Sequence, residues 1–161
     1  MKRKAHATAA VLSLLFLSAF WTSTVVAELF LSAAAVAQVK QGIAYALLVF
    51  VPTMMTTAGT GFAMGAKGQH PLLVGKRKRM PFIAANGLLI LVPAAIFLSL
   101  RAQAAMFDGA FYAVQAIELV AGAVNVTLIG LNIRDGLRLS RRRQASTDER
   151  DKARAPYFNG K

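Results

Sequence analysis

The stretch Phe111–Arg134, FYAVQAIELVAGAVNVTLIGLNIR, is apolar enough to cross a membrane, yet it carries Gln115, Glu118, Asn125 and Asn132. At about 100° per residue on an α-helix, these four fall with Gly122 on one stripe about 100° wide. Val, Leu, Ile, Ala and Phe fill the rest of the circumference. A Glu or Asn facing lipid is costly, so the stripe must turn inward against other helices. A chain holding such a helix is organised around it.

The rest of the sequence supplies the other helices. The chain is 56% hydrophobic with a mean hydropathy of +0.49, and its apolar residues come in long blocks rather than dispersed through one soluble core. The expected fold class is an all-α membrane protein with four transmembrane helices in an antiparallel bundle. The spans fall at about residues 9–30, 42–64, 81–100 and 110–133. Residues 1–8 are expected to form a cytoplasmic N-terminus, 9–139 the bundle, and 140–161 a disordered, basic cytoplasmic tail. No Cys is present, which removes disulfides, thiolate metal sites and Cys nucleophiles.

In chain order, Lys2-Arg3-Lys4 leads into Ala9–Ala27, which is free of charge. A signal peptide competes with a first span here. The run exceeds the usual apolar region of a signal, and Glu28 separates it from the small-residue sites near Ala33–Ala37, which favours a retained span. Leu29 to about Ala37 reads as a link, and Gln38, Lys40 and Gln41 open the second span. Pro52 and Pro93 lie inside the second and third spans and predict bends. Thr53, Thr56 and Thr57 can bond the loosened backbone near Pro52. Thr57, Gly61 and Gly65 form a small-residue ridge that permits close helix approach. Gly59-Thr60-Gly61 with Gly65 lacks the preceding strand of a dinucleotide-binding loop. Residues 66–80 read as a polar loop, and Pro81 as the first residue of the third span.

Orientation follows from charge. All but Lys40 and Arg101 of the 19 Lys and Arg lie in the N-terminus, the middle loop and the tail. The positive-inside rule then places both termini in the cytoplasm of a bacterial inner membrane. This distribution accounts for the net charge of +12, so no nucleic-acid partner is expected. The expected partners are the lipid bilayer, anionic head groups at Lys76–Arg79 and Arg141–Arg143, and other membrane subunits or a second copy of the chain.

Glu118 is the one carboxylate deep in a span, and an ionisable residue there points to function. Gln115, Glu28, Lys40 and Arg101 come to the same outer side and complete a candidate polar pocket. The structural alternative is an ion pair that fixes helix register. Asn86 and Asn125 reach similar depth on consecutive spans and fit interhelical hydrogen bonding. His6 and His70 both lie outside the expected spans, so a bis-His haem across the bundle is not expected. No metal-ligand spacing, nucleophile elbow or phosphate loop occurs, and neither cofactor nor metal is expected. Met54, Met55 and Met64 read as packing residues.

In architecture the chain resembles small four-span bacterial inner-membrane proteins, without a motif that names a family. The leading reading is a non-enzymatic accessory or scaffold subunit with a polar pocket near the outer face. The alternatives are a small proton-coupled transporter using Glu118, and a haem- or quinone-binding redox protein.

Overall fold

The computed structural model describes residues 2–65 and 71–158, with the side chains of 2–5, 62–65, 71–73, 76, 77, 143, 148 and 151–158 left out. Among the described residues the chain is entirely helical. Four helical stretches are long and apolar enough to span a membrane.

Helix α1 (Lys2–Phe30) and α2 (Ala33–Gly65) are separated only by Leu31 and Ser32. The link expected at Leu29–Ala37 is therefore mostly helix. Ser32 is the reason: its hydroxyl accepts the Ala35 N–H at 3.4 Å and its carbonyl the Val36 N–H at 3.0 Å. It caps α2, and the Ala-rich run behind it propagates the turn readily. Lys40 consequently lies two turns inside α2 rather than at its mouth.

Helix α3 (Pro71–Ala85) corrects the expected polar loop at its C-terminal half, because Lys76–Arg79 sit on a helix. Pro71 occupies the favourable first turn in place of Pro81, which lies inside α3. A π-helical segment, Asn86–Leu91, joins α3 directly to α4 (Val92–Gln103). Its last bond runs from the Val92 N–H to the Gly87 carbonyl. Pro93 follows at once. Its ring would clash with the carbonyl one α-turn back, and widening the preceding turn relieves that clash.

Helix α5 (Gly109–Phe158) begins on Asp108 and runs far past Arg134. The disordered tail expected from residue 140 is instead helical to Phe158. Mixed charge had suggested disorder, but no Gly or Pro interrupts the chain between Leu137 and Ala155, and Arg, Gln, Ala and Glu are good helix formers. His70 lies outside the described residues, as do the surroundings of Met64 and Gly65.

α1 packs on α2 and α5, and the α3–α4 span packs on the same two helices, closing a ring. The main core joins Leu17, Leu47, Phe50, Met54, Leu91 and Ile129. Phe16 and Phe20 each meet Phe50 edge-on within it, with centroids 6.2 and 5.6 Å away. A second cluster closes the end that carries both short links, formed by Ala27, Val36, Leu98, Ala102 and Phe111. Outward positions such as Leu29, Leu48, Leu89 and Val120 are exposed and apolar. That is the inverse of a soluble surface and suits hydrocarbon.

Three glycines lie close to side chains of neighbouring helices. A Cβ on Gly61 would fall 2.4 Å from Met80 Cε, and one on Gly87 2.5 Å from Met54 Cε. One on Gly122 would fall 3.0 Å from the Trp21 ring, whose Nε1–H donates to the Leu119 carbonyl at 2.9 Å. Thr57 of the predicted ridge meets Ser13 of α1 at 3.4 Å. Thr57 and Gly61 thus serve packing within this chain.

Candidate functional site

The polar stripe of α5 faces inward and meets side chains from every other span. At the link end, Lys40 Nζ donates to Glu118 Oε2 at 2.5 Å and to Thr24 Oγ1 at 3.4 Å. Lys40 is only 1% exposed and Glu118 12%. Gln115 donates through Nε2 to the same Glu118 oxygen at 3.1 Å. Glu28 lies within electrostatic reach of both Lys40 and Glu118. Helices α1, α2 and α5 therefore each bring an ionisable group to one place. Thr24 of α1 is the third corner of the Lys40 site. An adjoining small cleft is walled by Leu17, Phe20, Trp21 and Leu91 and touched by Glu118.

Two acceptors in this cluster have no donor among the described residues: Glu28 Oε1 and Gln115 Oε1, both sealed from solvent. Buried polar atoms are normally paired, so orphans beside an ion pair are informative.

Arg101 goes elsewhere. It pairs with Asp108 and lies over the Phe97 ring, 5.3 Å from its centroid. Asp108 caps α5, its Oδ1 accepting the Phe111 N–H at 3.0 Å. It sits seven residues along a short link and reaches Arg101 without crossing the helix interface. The Phe111 N–H, and then the Arg101 guanidinium, hold the Asp108 carboxyl below its usual range. A carboxyl depressed in the folded state contributes stability above its unfolded value, and the contribution is lost as pH falls through the folded value. Asp108→Ala is therefore expected to lower Tm at neutral pH, with the deficit shrinking in acid as wild type loses the same contribution. A deficit independent of pH would show that only packing was removed.

Midway along α5, Asn86 Nδ2 donates to Asn125 Oδ1 at 2.9 Å and to the Ala121 carbonyl at 2.8 Å. Asn125 Nδ2 donates to the Ile83 carbonyl at 3.3 Å. Asn86 opens the π segment, so these bonds also tie α5 to the irregular turn. Such bonds are worth roughly 0.6–2 kcal/mol each in membranes. Asn125→Leu is expected to cost about 1–2 kcal/mol on that scale, read as a lower midpoint of unfolding in detergent.

At the other end, Arg79 Nη1 meets Asp135 Oδ2 at 2.7 Å and Asn132 Oδ1 at 3.5 Å. Asn132 is buried, as its place on the inward stripe requires. Asp135 is buried too and was missed, because Asp135-Gly136 reads as a helix end. Its signal was the stripe itself: Glu118, Gly122, Asn125, Ile129 and Asn132 recur at steps of three and four, and Asp135 is the next step. His6 lies inside α1, buried, with Nδ1 3.1 Å from the Thr57 carbonyl and 3.0 Å from Thr60 Oγ1. It is not a terminal solvated residue, because the helix begins at Lys2. Among the described residues no group of three His, Cys, Asp or Glu is placed to hold a metal.

Compared with known protein families, curated proteins and solved structures, the chain matches none.

Proposed function

We propose that the chain is an antiparallel four-span bundle of a bacterial inner membrane, with both termini in the cytoplasm. Its role on this reading is that of a non-enzymatic accessory or scaffold subunit, binding other membrane subunits or a second copy of itself. The observation that carries the reading is the sorting of polar from apolar side chains. Ion pairs are turned inward at two levels of α5, Glu118 and Asp135, about 25 Å apart at 1.5 Å per residue. Between them lies the Leu47–Phe50–Met54–Leu91 core, and outside is an apolar surface. An interior of that kind supports rigidity rather than a continuous polar path. Gly61 and Thr57 are engaged within the chain, so partners would meet the lipid-facing surface. Basic residues at Lys76–Arg79 and Arg141–Arg143 suit anionic head groups at the cytoplasmic side, as the positive-inside distribution requires.

A second reading is a small proton-coupled carrier using Glu118. It is favoured by the unpartnered Glu28 oxygen beside the Lys40–Glu118 pair.

Two measurements test these readings. Reporter fusions after Arg142 and within residues 104–108 should lie on opposite sides of the membrane, with the former cytoplasmic. Mild-detergent purification from native membranes should yield a homo-oligomer or a defined membrane partner. A monomer that drives proton flux in proteoliposomes would displace the scaffold reading in favour of the carrier.

A further inference from the structure

The cluster of Glu28, Lys40, Gln115 and Glu118 is incomplete in both charge and hydrogen bonding. Two carboxylates lie by one ammonium, leaving one negative charge in excess at a site where Lys40 and Gln115 are buried and Glu28 is half-buried. Burying an uncompensated charge is expensive, and the expense is avoided when a counter-charge enters. The hydrogen-bond inventory points the same way. Lys40 spends donors on Thr24 and Glu118, and Gln115 spends Nε2 on Glu118. One Lys40 N–H and one Gln115 amide hydrogen remain, but neither is bonded to Glu28 Oε1 or Gln115 Oε1, which stay without a donor. Gln115 is 4% exposed, so bulk water does not satisfy its carbonyl oxygen. Turning its amide over would place that oxygen against the Glu118 carboxylate, so the orphan is not removed by a flip. The other cation at the link end, Arg101, is held by Asp108 through Nη2, although its Nε is left without an acceptor.

We propose that this cluster is a binding site for one further positive charge, a proton or a monovalent cation, held by Glu28 and the Gln115 carbonyl oxygen beside the Lys40–Glu118 pair. Either occupant neutralises the excess charge and supplies the orphaned acceptors. Glu28 sits on the last turn of α1 and is only half-buried, so the charge enters from the link end without crossing the core. A divalent ion is disfavoured, since it would overcharge a site with Lys40 already at its centre. The inference deepens the polar-pocket reading but needs neither a partner nor transport, and it is testable on the isolated chain.

The experiment is thermal unfolding of the purified full chain in detergent, at constant ionic strength. One arm replaces choline with sodium or potassium at pH 8; the other lowers pH from 8 to 5 in choline. A cation occupant raises Tm by several degrees, saturably, in the first arm. A proton occupant raises it in the second, because the protonated form favours the folded state. In Glu28→Gln either response should vanish, and Tm at pH 8 in choline should exceed that of wild type. Gln115→Leu is the second variant. It keeps Glu28 but removes one acceptor, and should weaken occupancy by up to about tenfold, the equivalent of one good hydrogen bond. A proton occupant should also give a carboxylic C=O infrared band that Glu28→Gln removes. If wild type responds in neither arm, or responds identically to Glu28→Gln, the proposal is overturned while the topology and partner measurements stand unaffected.

Discussion

Glu118→Leu is expected to destabilise the protein by about 3–5 kcal/mol, the cost of breaking a buried ion pair from one side. Lys40 bears that cost. Its ammonium is 1% exposed and sits 2.5 Å from Glu118. Two turns inside α2, it has no outward path along which to extend, unlike a lysine at a helix end. Lys40→Met should cost less. It leaves Glu118 with Gln115 still donating to it. The double replacement should recover most of the loss, because a well-packed apolar pair often matches or exceeds a buried ion pair. Unfolding midpoints of the four proteins in one detergent give the coupling directly. Wild-type stability in Glu118→Leu would show that Lys40 and Glu118 do not depend on each other. Glu28 modulates the result as the remaining acid near Lys40. Adding Glu28→Gln to Glu118→Leu should deepen the loss. Charge reversal at Arg101 should not be rescued by reversal at Glu118, since Arg101 belongs to Asp108.

The helical class and the positions of the spans were legible because hydrophobic blocks and helical periodicity survive any detail of packing. The inward stripe of α5 was legible for the same reason. Gln115, Glu118, Gly122, Asn125 and Asn132 share a face at any register of the neighbouring helices. What lies opposite them depends on register. Lys40 pairs with Glu118 because Ser32 caps α2 early and moves Lys40 inward by two turns. With the link drawn to Ala37, Lys40 and Arg101 were equivalent partners. Ser32 followed by Ala-Ala-Ala is a capping signal that the high apolar content obscured.

Arg101 was misplaced for a related reason. The link was taken as a spacer, whereas Asp108 both starts α5 and holds the arginine. Local bonds across seven residues are cheaper in chain entropy than a bond across the bundle. Pro93 announced an irregularity, but not its form. A proline clash can be met by bending or by a wider turn, and Asn86, bonded to Ala121 and Asn125, stands at the start of the wide turn. The helical tail shows the limit of composition. Charge mixing is shared by disordered segments and by solvated helices, and continuity with a preceding long helix removes the nucleation cost that would otherwise decide.

Phe111→Ala is expected to produce the second large effect, on stability and on access to the polar cluster together. Phe111 is 0% exposed and packs on Ala27, Val36, Leu98 and Ala102. Phe107 and Tyr112 meet its ring nearly edge-on, with centroids 4.9 and 5.4 Å away. It stands one turn before Gln115 on the same face of α5, between the polar cluster and the link end. Phe→Ala in a tightly packed core costs about 3–5 kcal/mol. Part of that figure is transfer to water, which a lipid-bathed helix does not pay in full, so about 3 kcal/mol at the low end is expected here. The cavity would adjoin Gln115 and Lys40 and be polar on one side, so it should admit water. Lys40 should then react with a membrane-impermeant amine reagent in sealed vesicles of the matching orientation, where the wild-type residue stays protected. Phe111→Leu, which refills most of the volume, should restore protection and most of the stability. Should Lys40 remain unreactive in Phe111→Ala although stability falls, Phe111 would be a packing residue alone, and the seal over the cluster would have to come from Glu28 and its neighbours on α1.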